Sequence, residues 1–329
     1  RGCVQGQKSI KVESSKAITN TGTISGGAMS IAAKGGSLTN SGTVAGRQRT
    51  ELNSSKAITN TGTIKGGALG VIAADGNIEN KGTVYGEQRV GLIGSKAVIN
   101  TNTINGNIVD LTAQNGDIDN TGTVYGATAT NLTGSRDLNN TELINGGDTT
   151  IKVSGNINNT NTGRIYGDNV TLKAKTLNNL PGAAAPVIAA RQNMNIEASI
   201  INIREHALIT AEQDMTIKAG TINNNSATIE AGRHMSMHAN FLNNTNEHFA
   251  TALRVVKEED IQEVQGRKSS IRHNIKDYTH DLSKIYKEGE KPPYDIHYNY
   301  HSYPSYAIST PSGWFLDWYR YEYRRTTTE

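Results

Sequence analysis

The chain has 329 residues with 33 basic and 30 acidic side chains, so its net charge is only +3. Neither the 21 basic and 17 acidic residues up to Asn246 nor the 12 and 13 after it form a dense basic field, which excludes nucleic acid as a partner. It is 35% hydrophobic with a mean hydropathy of -0.51. No run of about eighteen apolar residues marks a helical membrane span, and Cys3, the single cysteine, excludes an internal disulfide. No hydrophobic leader stands at the start, and the ends at Arg1 and Glu329 read as cuts through a longer protein.

From the N-terminus the chain repeats itself every twenty residues. Asn20, Asn40, Asn60, Asn80, Asn100, Asn120 and Asn140 keep that interval, as do Ile24, Val44, Ile64, Val84, Ile104, Val124 and Ile144. So do the glycines from Gly26 through Gly86 to Gly146. A unit this short cannot bury its own apolar face, so copies must stack. Triplets such as Met29/Ile31/Ala33, Leu69/Val71/Ala73 and Val109/Leu111/Ala113 alternate as a strand with one buried face requires.

These features predict an all-β fold, a right-handed parallel β-helix of about twelve coils over residues 1–246. At about 4.8 Å per strand, its length would be roughly 55 Å. The asparagines are expected to form side-chain amide ladders at the turns. Corner glycines would allow a positive φ or a close backbone approach. Alternate copies match best: Ser-Ser-Lys-Ala-Ile-Thr-Asn occurs at 14–20 and at 54–60, giving a sequence unit of two coils. Tyr85, Tyr125 and Tyr166 mark one corner, where a packed edge is expected and a glycan-binding stripe is the alternative. The sequence Leu-Pro-Gly-Ala-Ala-Ala-Pro at 180–186 lengthens one coil and predicts a bulging loop.

After Asn246 the composition changes. Ten of the thirteen tyrosines, both tryptophans and two of the three phenylalanines lie in the last 83 residues. Residues 247–291 mix apolar and charged positions. As a segment they would cap the solenoid, and residues 251–290 within them are expected to form irregular strands and loops that continue it, with a short helix near 276–287. Residues 292–329 form a Tyr/Pro/Trp-rich segment. Tyrosine and tryptophan offer large rigid contact surfaces with a polar handle, so this segment is the candidate binding tip. Its candidate contact residues are Tyr294, His297, Tyr298, Tyr300, His301, Tyr303, Tyr306, Trp314, Phe315, Trp318, Tyr319 and Tyr321.

Catalytic signals are weak. His297/His301 and His234/His238 are spaced by four, but no cysteine or carboxylate completes a metal set. In a strand, His234, Ser236 and His238 would face solvent opposite Met235 and Met237. No nucleophile elbow, P-loop or zincin helix is present. The chain is read as non-enzymatic, with no cofactor and no metal.

The Asn-Thr-Gly-Thr-Ile copies, the Gly-Asn-Ile-Asn-Asn type and the late Leu-Asn-Asn repeats resemble those of filamentous haemagglutinin exoproteins, over about residues 4–246. Within that group the order of repeats followed by a Tyr-rich segment is similar to contact-dependent growth inhibition effectors of the CdiA type. The resemblance implies secretion through a partner outer-membrane transporter and display on the cell surface as part of a longer filament. It also implies binding, as a monomer, to an outer-membrane β-barrel of a neighbouring bacterium, with lipopolysaccharide or glycan as secondary contacts. An adhesin or shaft that binds surface glycans is the alternative.

Overall fold

The computed structural model describes residues 2–249, 255–269, 296–309 and 315–328. They fall into two compact units, divided between His248 and Phe249. The first unit is one 27-stranded parallel sheet wound into a β-solenoid of about twelve coils. Each strand pairs with its counterpart one coil away: Ile64 lies beside Val84, Val84 beside Ile104 and Ile104 beside Val124. The period-two triplets account for the core. Leu52, Val71, Leu92, Leu111, Leu132, Ile151 and Leu172 are all fully buried, stacked one on the next.

The buried asparagines tie the coils together. Asn40 Nδ2 donates to Asn60 Oδ1 at 2.8 Å, Asn60 to Asn80 at 2.8 Å and Asn80 to Asn100 at 2.9 Å. The chain of bonds continues through Asn120 and Asn140 to Asn159 and Asn179. Each amide also donates to the turn beside it, as Asn80 does to the carbonyls of Gly82 and Thr103. This satisfies a polar group inside an apolar interior, where an unpaired one would cost about 1–3 kcal/mol.

Ile203 interrupts the ladder, since it stands in register between Asn179 and Asn224. The last amide before it, Asn179, retains its turn bond to the Leu208 carbonyl but has no asparagine acceptor beyond it, and Asn224 Oδ1 is covered without a donor among the described residues. A second ladder, unanticipated from the sequence, runs on the outer side of the same strands. Asn139, Asn158, Asn178, Asn202, Asn223 and Asn243 each donate to the preceding coil. Tandem Asn-Asn pairs such as 139–140 and 178–179 therefore serve both ladders, because adjacent strand residues face opposite ways.

The corner glycines answer to close approach. A Cβ on Gly62 would stand 2.0 Å from the Gly42 carbonyl oxygen, and its φ is not in the left-handed region. The two-coil sequence unit has a packing cause as well. A Cβ on Gly76 would meet the Ala57 nitrogen at 2.6 Å, so a glycine corner nests on a Ser-Lys-Ala corner and the two types must alternate.

The loop at Pro181–Pro186 lies where the sequence predicts it, between strands Asn169–Leu180 and Val187–Ala190. Another corner contracts in the last four coils. Four residues separate Ala33 from Leu38 and Ala73 from Ile78, but only two separate Ala174 from Leu177, Ala198 from Ile201 and Ala219 from Ile222. Too few residues remain for a turn, and the chain bends within continuous strands such as Asn169–Leu180 and Met194–Arg204.

In the second unit, strands Val255–Ser269, Ile296–Ser309 and Phe315–Thr328 form a three-stranded antiparallel sheet with Phe315–Thr328 in the centre. The expectation that residues 251–290 continue the solenoid is corrected for Val255–Ser269, whose strand partner is Phe315–Thr328. Its partner arrangement is antiparallel, so it adds no coil to the parallel stack. The helix anticipated near 276–287 lies outside the described residues.

Candidate functional site

The second unit brings much of the aromatic tail into one register. Tyr300 pairs with Tyr323, His301 with Glu322, Tyr303 with Arg320 and Tyr306 with Trp318. On the other side of the central strand, Gly266 lies opposite Trp318 and Glu263 opposite Tyr321. Tyr319 pairs with Pro304, Phe315 with Ser309, His297 with Thr326 and Tyr298 with Arg325. Tyr294 and Trp314 lie outside the described residues. The sheet thus gathers candidates from two sequence segments, and a segment read as a cap supplies its third strand.

The solenoid offers two further surfaces. On the first, Tyr85 and Tyr125 are 43% and 37% exposed and Tyr166 is half-buried. For Tyr85 and Tyr125 this corrects the expectation of a packed edge. Their neighbours Val84, Val124 and Ile165 point into the core, and strand alternation sends the tyrosines outward. They stand in one column with Asn105 and Asn145 between them. Beside them runs a column of Thr83, Thr103 and Thr123. At about 4.8 Å per coil, successive tyrosines are roughly 10 Å apart.

The second surface follows from the contracted corner. A groove of ≈ 780 Å³ opens there, with Ala198 and Ala219 on its floor and Glu197, Lys218 and His238 on one wall. A second hollow of ≈ 420 Å³ shares Glu197 and Lys218 and continues to Lys173 and Lys152. Lys173 Nζ lies 2.8 Å from Glu197 Oε1. That hydrogen bond, reinforced by charge attraction, holds the Glu197 carboxyl below its ordinary pKa. No sequence motif marks this groove. Its signal was the drop from four to two residues between each alanine and the next apolar core position.

Other sequence candidates stay apart. His234, Ser236 and His238 are exposed on one strand, with Ser236 Oγ 3.3 Å from His238 Nε2. Met235 is exposed too, at 42%. Among the described residues no group of three or more His, Cys, Asp or Glu side chains is placed to hold a metal ion. Cys3 is free and exposed. No protein-family model matches the chain, and no curated protein matches it.

Proposed function

We propose that this chain is a non-catalytic shaft and receptor-binding region of a secreted contact-dependent growth inhibition protein. In this reading the solenoid holds the tail away from the producing cell, and the tail binds an outer-membrane β-barrel on a neighbouring bacterium. The observation that carries it is the junction of two unlike units: a repetitive polar solenoid, then a sheet in which tyrosines and tryptophan recur on paired strands. Rigid aromatic side chains dominate protein-binding hot spots. The tail's 12 basic and 13 acidic residues disfavour a purely electrostatic attachment to lipopolysaccharide phosphate, so moderate salt should weaken binding little.

The direct test is a pulldown from detergent-solubilised outer membranes with the full chain, followed by binding to cells that lack the captured barrel. Undiminished binding to those cells, or equal binding to protein-free lipopolysaccharide, would sink the proposal. Alanine at Trp318 or Tyr306 in the full chain should cost at least about 2 kcal/mol if either is a hot spot.

The second reading, an adhesin that grips glycans along its shaft, is favoured by the exposure of Tyr85 and Tyr125. Deleting residues 249–329 would abolish cell binding under the first reading and spare it under the second. A Tyr85→Ala/Tyr125→Ala/Tyr166→Ala variant would give the opposite pattern.

A further inference from the structure

The groove at the contracted corner and the hollow beside it share a line of charge along the solenoid axis. One residue per coil, the register runs Lys152, Lys173, Glu197, Lys218 and His238. All five side chains are exposed. Glu197 pairs with Lys173, while Lys152 and Lys218 form no ion pair among the described residues. The wall therefore has an excess of positive charge around one fixed negative charge.

Beside it, two residues back along each strand, runs an uncharged column of Thr150, Thr171, Asn195, Thr216 and Ser236. Hydroxyls and an amide at each coil can both donate and accept hydrogen bonds. The floor is small: Ala174, Ala198, Ala219 and Ala239 stack in register.

These features select a ligand. The site is linear and repeats at about 4.8 Å, so it suits a polymer lying along the axis. Lys173 and Lys218 are two coils apart, roughly 10 Å, with the carboxylate of Glu197 between them. A polymer with an anion on every unit would place one against Glu197. A polymer with an anion on alternate units would meet Lys173 and Lys218 and leave a neutral unit at Glu197. If that neutral unit carries an N–H group, Glu197 has a donor to accept from.

We propose that the hollow lined by Lys173, Glu197 and Lys218 binds a linear polysaccharide in which a carboxylate-bearing sugar alternates with an N-acetylated neutral one. Lys173 and Lys218 take successive carboxylates, Glu197 accepts from the intervening amide N–H, and the threonine column bonds the sugar hydroxyls. The site is on the solenoid and does not depend on the tail's proposed receptor.

The test uses the full chain and a hyaluronan hexasaccharide, whose uronate and N-acetylglucosamine units alternate. Calorimetric titration should detect binding, weakened at least about tenfold by Lys173→Gln/Lys218→Gln, since each change removes a charged contact. Polygalacturonate, charged on every unit, should bind the parent chain less well than hyaluronan, and Glu197→Gln should abolish or reverse that preference. All three positions are exposed, and circular dichroism would verify that the variants keep the parental fold. No detectable hyaluronan binding by the folded parent would overturn the proposal. So would unchanged affinity in the lysine double variant, or a polygalacturonate preference in the parent that Glu197→Gln leaves untouched. Heparin provides a final arm. If it binds the parent more tightly than hyaluronan does, the site reads charge density and not alternation, which would overturn the proposal.

Discussion

Replacing Asn100 with Asp tests the inner amide ladder with almost no change in shape. Asn100 is 1% exposed; its Oδ1 accepts from Asn80, and its Nδ2 faces Asn120 Oδ1 at 2.8 Å. The same Nδ2 faces the carbonyls of Asn102 and Thr123 at 2.9 and 3.2 Å. An ionised aspartate would point an oxygen at three acceptors. The folded state must therefore keep the carboxyl protonated, raising its pKa above the unfolded value of about 3.9. For a group whose folded pKa is raised, stability is best retained below the unfolded value and is lost as pH rises towards the folded one. Holding the proton at pH 7 costs about 1.4 kcal/mol per unit over roughly three units, or about 4 kcal/mol. A protonated carboxyl also has one hydrogen to donate where the amide has two, a further loss of about 1 kcal/mol at every pH.

The assay is the urea midpoint of variant and parent, compared at pH 4 and pH 7.5. Amide hydrogen exchange would be read coil by coil, because neighbouring repeats couple more strongly than distant ones. Exchange should quicken in the coils of Asn80, Asn100 and Asn120 before it does beyond Asn179. A variant as stable as the parent at pH 7.5, or a deficit of equal size at both pH values, would refute the ladder's role as a buried and obligatory bond network.

Ile203→Asn should close the gap in that ladder by accepting from Asn179 and donating to the orphaned Asn224 Oδ1. Two bonds of about 0.5–1.5 kcal/mol each would roughly offset the lost burial of about 1.5–3 kcal/mol. Ile203→Ala should cost about 2–5 kcal/mol, so urea midpoints that rank the two variants equal would count against the gap. Leu111→Asp should cost several kcal/mol by burying an unpaired carboxylate, with faster hydrogen exchange in the adjoining coils as the check. Carboxylates of Glu13, beside Lys11 and Lys34, and of Asp214, beside Arg233, are held below their ordinary pKa by hydrogen bonds from those cations. Their pairs contribute fully at neutral pH and lose that contribution as acid passes through the lowered folded pKa; carboxyl carbon titration by NMR would follow it.

Much of the solenoid was legible because its interior imposes a rule on every coil. A strand with one buried face must alternate, so Val109, Leu111 and Ala113 identify themselves. A buried amide needs a partner one coil away, so asparagines spaced by twenty announce a ladder. The exposed surfaces were harder to read. Tyr85 looks alike in sequence whether it packs an edge or faces water; the inward placement of Val84 decides the matter. The outer asparagine ladder runs through residues such as Asn139 and Asn178, the first members of Asn-Asn pairs, which the interval of the inner ladder does not mark.

The sequence by itself determined the coil length, the buried columns, the inner ladder and the change of composition near residue 246. Those properties follow from local periodicity, and every repeat states them again. Only the tertiary structure decided that Val255–Ser269 pairs with Phe315–Thr328, since antiparallel partners so distant in the chain leave no periodic mark. It also decided that Lys152, Lys173, Glu197, Lys218 and His238 stand in one line across two adjoining hollows. Their spacings of 21, 24, 21 and 20 residues become a single line only after the Pro181–Pro186 loop is set aside at another corner and each strand finds the register that buries its apolar face.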